Sequence, residues 1–362
     1  MTVVLANPVR AAVVVCAALA LVGVGGTPAR AHGPTPDASN FSSRITGVVA
    51  MDDGAPAGAV DAPAGVTWRV LGADALLTVR NTGDEDLVVA GYDGEPYLRI
   101  GPEGVFENRR STATYITADR FGMTQVPPHA DAGAAPDWRQ VGSDPQWQWH
   151  DHRIHWMART QPPQVQRRPD VVHTIQEWSV PFAGGERQFG VQGVLRWIPS
   201  GPVWPWLTGA AVLLSLPVLV PLVRRRGERR VVRALVGVTT AVALAAVVVA
   251  VGDVIATPAS VAADALALLQ AVAPAVVAVA LVASLWRTAP TDGESDPAVT
   301  VLIAAVILAI ACGVVRLGAL QSSQVVNALA PWVVRAGVAA CLMVVVPALL
   351  VILAMRRSPE PS

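Results

Sequence analysis

The sequence predicts an exported all-β, immunoglobulin-like sandwich followed by an α-helical bundle of five transmembrane helices. Three observations carry that expectation. An apolar run ending in small residues opens the chain. A polar, Gly- and Pro-punctuated block fills 32–200, and five apolar segments of near-spanning length fill most of the rest. Hydrophobic residues make up 52% and charged residues 15% of the 362. Soluble domains carry about 25% charged residues, so a single soluble globule is excluded, as is a disordered chain. The basic residues are all arginine, and 27 of them balance 27 acids. A nucleic-acid partner held by bulk positive charge is thereby excluded. The zero is a sum of unlike parts. Residues 32–200 hold 20 acids against 14 arginines, and 201–362 hold 7 acids against 11 arginines. All six histidines lie between 32 and 173, whereas Cys16, Cys312 and Cys341 lie in apolar runs outside that block.

Residues 1–31 read as a signal peptide. Arg10 marks the n-region, 11–24 is a short apolar h-region, and Ala29-Arg30-Ala31 fits a small-x-small cleavage site. Cleavage after Ala31 makes His32 the mature N-terminus. Its α-amino nitrogen and its Nδ1 can chelate one metal ion.

Residues 32–200 read as the extracytoplasmic sandwich. The clearest strand pair is 66–80 followed by 87–100, where Val66, Trp68 and Val70 alternate with Thr67 and Arg69, and Leu77 and Val79 with Thr78 and Arg80. That period of two suits a half-buried strand. Residues 81–86 form a polar turn with Gly83, and 174–180 and 188–198 repeat the alternation. Residues 122–146, rich in Pro, Ala and Asp, are expected to be loop. No cysteine lies in this block, so no disulfide supports it, although export permits one.

The outstanding segment is Gln146-Trp147-Gln148-Trp149-His150-Asp151-His152-Arg153-Ile154-His155-Trp156-Met157. Imidazole is the commonest transition-metal ligand and thioether sulfur favours Cu(I). The candidate metal ligands are His32, His150, His152, His155, Met157 and His173, with copper the expected ion. On a straight strand His150 and His152 share one face, while His155 and Met157 share the other. Convergence of all three histidines therefore needs a bulge or a turn. His129, Asp37, Asp151 and Glu177 are further possible ligands. The alternative is that the Trp/His strip is a contact surface, with Asp151 and Arg153 paired to each other. No nucleophile elbow, P-loop or H-E-x-x-H motif is present, and the expectation is a protein that is not an enzyme.

Residues 201–357 read as the transmembrane domain, with spans at 203–223, 234–251, 265–286, 298–315 and 336–355, and a cytoplasmic tail at 358–362. Each span approaches the ~20 residues that cross a bilayer. Arg224, Arg225, Arg226, Arg229, Arg230, Arg233, Arg287, Arg356 and Arg357 follow the odd-numbered spans, which puts those loops and the C-terminus in the cytoplasm. An odd count then places 32–200 outside the plasma membrane. Trp204, Trp206, Trp286 and Trp332 sit at span ends, as interfacial aromatics do. Arg316 and Arg335 are expected to snorkel, and Cys312 and Cys341 to be inert packing residues. The expected partners are the lipid bilayer and a copper donor or acceptor protein.

Residues 91–99 (Gly-Tyr-Asp-Gly-Glu-Pro-Tyr-Leu-Arg), Asn108, Ser111-Thr112-Ala113-Thr114-Tyr115 and 150–157 resemble an uncharacterised actinobacterial family of exported multi-pass membrane proteins. The resemblance covers most of the exported block and the bundle layout. More loosely, His32 at the mature start and a β-domain ending at Val194-Leu195-Arg196-Trp197 before the first span resemble CopC-type copper proteins fused to a CopD-like membrane part. That resemblance implies copper binding, and His32 is the one position matching its N-terminal copper ligand. The Asp-Gly-His motif and the intramembrane histidines of that family are missing here.

Overall fold

The computed structural model describes residues 39–52, 54–118, 120–158, 160–224, 227–256, 261–287 and 297–356. His32 and the expected signal peptide and cytoplasmic tail lie outside the described residues. Two compact units divide the described chain, at 39–200 and 201–356.

The first unit is an antiparallel, sandwich-like β-domain. Its strands are β1 (Phe41–Asp52), β2 (Ala55–Val60), β3 (Val66–Leu71), β4 (Leu76–Asn81), β5 (Leu87–Ala90), β6 (Pro96–Gly101), β7 (Gly104–Asn108), β8 (Trp138–Gly142), β9 (Gln146–Trp149), β10 (His173–Gly184) and β11 (Arg187–Trp197). Two short helices interrupt them, α1 (Ala113–Ile116) and α2 (Pro163–Arg167). One sheet runs β2-β1-β11-β10-β5-β6-β7-β8, the other β3-β4-β9. Eight strands facing three is a different division from the four and three of a constant-type immunoglobulin domain.

The expected pairing of 66–80 with 87–100 does not form. Gly72 and Ala73, both at positive φ, reverse the chain so that 66–80 is itself the β3–β4 hairpin, with Trp68 opposite Val79 and Val70 opposite Leu77. Residues 87–100 hold β5 and β6, paired with each other in the large sheet. The polar run 81–86 then carries the chain from the small sheet to β5 of the large one. Asn81 makes that crossing: its side-chain amide donates to the Glu85 and Ile100 carbonyls, and its Oδ1 accepts from Gly83 N–H. Residues 122–146 contain one strand that the composition hid. β8 pairs with β7 at the sheet edge, where Pro- and Asp-rich flanks leave only Trp138 and Val141 as apolar signal.

The two sheets meet on a core of Leu77, Val79, Leu87, Val89, Tyr97, Leu98, Ile100, Val105, Trp149, Val180, Phe182, Phe189, Val191 and Leu195. Aromatic rings fill the space a disulfide would otherwise brace. Trp68 stands edge-on to Trp149 at 6.2 Å and tilted against Phe182 at 5.2 Å, while cross-strand Phe182 and Phe189 stack at 5.3 Å. Such pairs add about 0.5–1.5 kcal/mol each beyond area burial.

The second unit is helical. It contains α3 (Trp204–Val223), α4 (Glu228–Ala256), α5 (Val261–Arg287), α6 (Pro297–Leu308), α7 (Gly318–Gln321), α8 (Pro331–Met343) and α9 (Val345–Arg356). A π-helical turn (Ala309–Gly313) and a 3₁₀ turn (Val314–Arg316) extend α6. The α8–α9 break falls at Val344, three residues before Pro347, whose ring clashes with the carbonyl four residues back. Among the described residues four helices are long and apolar enough to cross a membrane: Trp204–Val223, Arg229–Ala256, Val299–Arg316 and Pro331–Ala354. The expected count was five. The expected third span, 265–286, lies on α5, whose described apolar stretch is Leu268–Val282, shorter than the ~20 residues a bilayer needs. Four candidate spans among the described residues do not fix which side of a membrane each end occupies.

Small residues let the helices approach closely: Ala246, Ala275, Ala278, Ala304, Ala305 and Ala348 are buried together with Leu235, Leu308 and Val351. Large apolar side chains such as Leu213, Leu244, Ile255 and Ile310 point outward, the inverse of a soluble bundle. Cys312 and Cys341 are both buried in this packing. Arg316 and Arg335 do not snorkel. Arg316 Nε meets Asp253 Oδ2 at 2.9 Å, and Asn327 donates to Asp253 Oδ1 at 2.6 Å. Arg335 is held by the carbonyls of Ala319, Ser322 and Ser323. Burial inside protein makes these internal partners cheaper than reaching for water.

Candidate functional site: the loop cluster around Tyr92, His152 and His155

β9 ends at Trp149, and the histidine segment leaves the sheet as a turn closed by Ile154 N–H on the Asp151 carbonyl. The expected straight-strand pairing of His150 with His152, and of His155 with Met157, is thereby replaced. Asp151 sets the turn. Its carboxylate is fully buried and accepts from Trp149 Nε1 (2.9 Å), Arg153 N (3.0 Å), Arg153 Nε (2.8 Å) and Arg153 Nη2 (2.7 Å). Burial pushes this carboxyl up, but the Arg153 guanidinium and the donated bonds outweigh it and hold it below the ordinary carboxylate range. Arg153 lies over the Tyr92 ring at 4.9 Å and reaches the Ala90 and Gly91 carbonyls.

Through Tyr92 the turn meets the second segment that the sequence singled out. Tyr92 OH accepts from His152 N–H at 2.9 Å, and its ring stacks on His152 at 5.8 Å. Gly91 gives way to the buried Glu95 carboxylate, which takes hydrogen bonds from Ser111 OH and from Asp93 N–H. A Cβ at Gly91 would collide with that carboxylate. Asn108 ties the same region together by donating to the Pro96 carbonyl and accepting from Arg110 and Asp137 N–H. Residues 91–97, 108–118, 120–122 and 149–156, scattered in sequence, thus form one loop cluster.

The histidines have separate surroundings. His150 is buried and its Nδ1 lies 2.8 Å from the Ala75 carbonyl. His173 bonds the Arg168 carbonyl through Nε2 at 2.7 Å, and His129 bonds Tyr115 OH at 2.8 Å. Among the described residues His152 and His155 have their rings together, with centroids 5.5 Å apart in a T-shaped arrangement. Besides stacking on Tyr92, the His152 ring lies close to Gly122, where an added Cβ would fall 2.8 Å from His152 Cε1.

His155 Nε2 lies 2.8 Å from the Arg120 carbonyl, which can only accept. The proton therefore sits on Nε2 and the lone pair on Nδ1. That Nδ1 is buried with no hydrogen-bond partner among the described residues. Burial, with the Arg120 charge beside it, pulls the His155 pKa down to about 4, so the ring is neutral at pH 7. An imidazole whose other nitrogen donates to a backbone carbonyl is oriented as metal-binding histidines are.

Among the described residues no three His, Cys, Asp or Glu side chains converge as a metal-binding group. Asp151 is committed to Arg153, and His150 and His173 to their carbonyls. The buried Glu95–Ser111–Asn108 scaffold was legible as a motif but not as the support of the histidine turn. Comparison with known proteins gives no match: no protein family, no curated protein and no solved structure matches this chain.

Proposed function

We propose that this chain is a membrane-tethered, extracytoplasmic binding protein rather than an enzyme, and that it holds Cu(I) on the His152–His155 pair. The observation that carries the reading is His155 Nδ1: neutral, tautomerically fixed, buried and without a hydrogen-bond partner among the described residues. Two imidazoles on one ion at about 2.0 Å put each ring centre about 3.2 Å from it. The observed centroid separation of 5.5 Å is within the roughly 6.4 Å that two such rings can span across one ion. Two nitrogen ligands without a third acidic or thiol group suit a soft ion of low coordination number better than tetrahedral zinc. Copper is passed at this pair between the domain and a donor or acceptor protein outside the membrane. The four candidate spans serve as the anchor.

The test is a competition titration of the purified full chain with Cu(I) against a chromophoric chelator. One ion is bound by the wild type. His152→Gln and His155→Gln abolish binding, whereas His150→Gln and His173→Gln leave it intact. Absence of retained copper in the wild type, or equal binding by all four variants, overturns the reading. The second reading is a contact surface. It is favoured by Phe121 and Met123, 49% and 73% exposed, on either side of the Gly122 that packs on His152. In that case the histidine variants bind copper like the wild type, and Phe121→Ser/Met123→Ser alters partner capture instead.

A further inference from the structure

The α3–α4 junction carries a cationic surface that neither reading above uses. Arg224 caps the C-terminus of α3, and Arg229, Arg230 and Arg233 fall in the first two turns of α4. All four are exposed, and among the described residues no carboxylate pairs with any of them. The spacing 229, 230, 233 puts three guanidinium groups on one side of the helix. Arg225 and Arg226 lie outside the described residues.

Arg224 is where a helix favours a cation, at a C-terminus. The other three are not. The first turns of a helix carry partial positive charge and free N–H groups, and they favour an anion. Three cations outnumber the one acidic residue there, Glu228, and leave the helix end with a net positive charge that favours an anion. The α3 and α4 segments meet closely at this point, since Val218 and Leu222 share an apolar cluster with Val231 and Val232. Gly227, at φ +85°, makes the reversal between them, with open space where a Cβ would stand.

The surroundings identify the anion. The outward face of α3 is apolar up to the arginines: Val212, Leu213, Leu216, Val220 and Val223 are all exposed. Trp204 is exposed at the opposite end, so Trp204 and Arg224 bracket a 20-residue helix, about 30 Å at 1.5 Å per residue. That length matches the hydrocarbon core, which puts the arginines at headgroup level. We propose that the α3–α4 junction binds the phosphate headgroup of an anionic phospholipid from the protein's own bilayer, its acyl chains lying along the exposed α3 face.

The test uses the full chain in mild detergent, titrated separately with phosphatidylglycerol and phosphatidylcholine, with bound lipid counted by native mass spectrometry. Phosphatidylglycerol is retained preferentially. Arg229→Gln/Arg230→Gln/Arg233→Gln weakens that retention about a hundredfold, at roughly one kcal/mol per arginine near a lipid headgroup. Equal retention of the two lipids, or unchanged affinity in the triple variant, overturns the proposal. Complete displacement of the lipid by millimolar inorganic phosphate also overturns it, because it marks a plain anion site. If the triple variant does not fold, salt decides with the wild type. A loss of phosphatidylglycerol affinity of more than about tenfold between low and high ionic strength supports the proposal, and salt independence overturns it.

Discussion

Replacing Asp151 by asparagine tests the centre of the loop cluster. The substitution keeps the shape, removes the charge and turns an amide N–H toward Arg153. Asp151 accepts four hydrogen bonds, three of them from Arg153, and both residues are largely buried. Breaking a buried pair from one side costs about 3–5 kcal/mol, because the remaining charge stays buried. Arg153 keeps the Ala90 and Gly91 carbonyls and the Tyr92 face, which puts the expected cost near the lower end, about 3 kcal/mol. For a domain of this size that is a fall of about 6–12 °C in Tm. Intrinsic tryptophan fluorescence of the full chain in detergent reads it, since seven of the eleven tryptophans lie in 39–200. The effect also has a pH signature. The Asp151 carboxyl is held below its ordinary value in the folded state. Its contribution is present above the unfolded pKa of about 3.9 and is lost as pH falls through the lower folded value. The Asn variant lacks that acid-side loss. A variant that melts within about 1 °C of wild type, or that keeps the same loss below pH 4, refutes the assignment of Asp151 as the charged anchor of the turn.

His155 gives a second, separate pH window. With a folded pKa of about 4 against about 6.5 unfolded, the unfolded chain takes up a proton that the folded ring does not. Stability therefore falls between pH 6.5 and 4 by about 3 kcal/mol, and His155→Gln flattens that slope in denaturant titrations at pH 4, 5.5 and 7. Equal slopes in the two proteins contradict the neutral, buried assignment. Gly193→Ala costs about 3 kcal/mol or more in a thermal melt. The new Cβ falls 2.1 Å from Trp178 Cζ2 and 2.5 Å from the Arg44 carbonyl, and Trp178 is fixed by its bond to Ser43 Oγ. Gly47→Ala, with nothing within 4 Å of its Cβ, stays within about 0.5 kcal/mol of wild type, and a similar cost at both positions argues against the packing account.

Local pattern was enough for some of this architecture. Alternation at 66–80 marked strand, because a strand half-buried on one face must repeat every two residues, but it did not show the reversal at Gly72 and Ala73 that makes the segment the β3–β4 hairpin and separates it from 87–100. Apolar length marked four helices able to span a membrane, because a helix surrounded by lipid needs apolar side chains all round. β8 escaped notice, since an edge strand buries little and its sequence is free to look like loop. The expected third span coincides with α5, of which the described apolar stretch is Leu268–Val282, so four rather than five candidate spans stand among the described residues.

The histidine segment shows the boundary most sharply. The sequence by itself determined that Asp151 and Arg153 stand two apart among three histidines, and that His150 and His155 cannot share a face of a straight strand. Only the tertiary structure decided which of them meet. The buried Asp151–Arg153 pair curls the chain off β9, Tyr92 arrives from 60 residues away to receive His152 N–H, and Arg120 supplies the carbonyl that fixes the His155 tautomer. Those partners are remote in sequence, and a side chain's protonation and free lone pair depend on which remote atoms surround it. Arg316 and Arg335 make the same point in the helical unit. Their positions at span ends were plain from the sequence, but their inward turn depends on Asp253, Asn327 and three loop carbonyls that only the packed helices bring within reach.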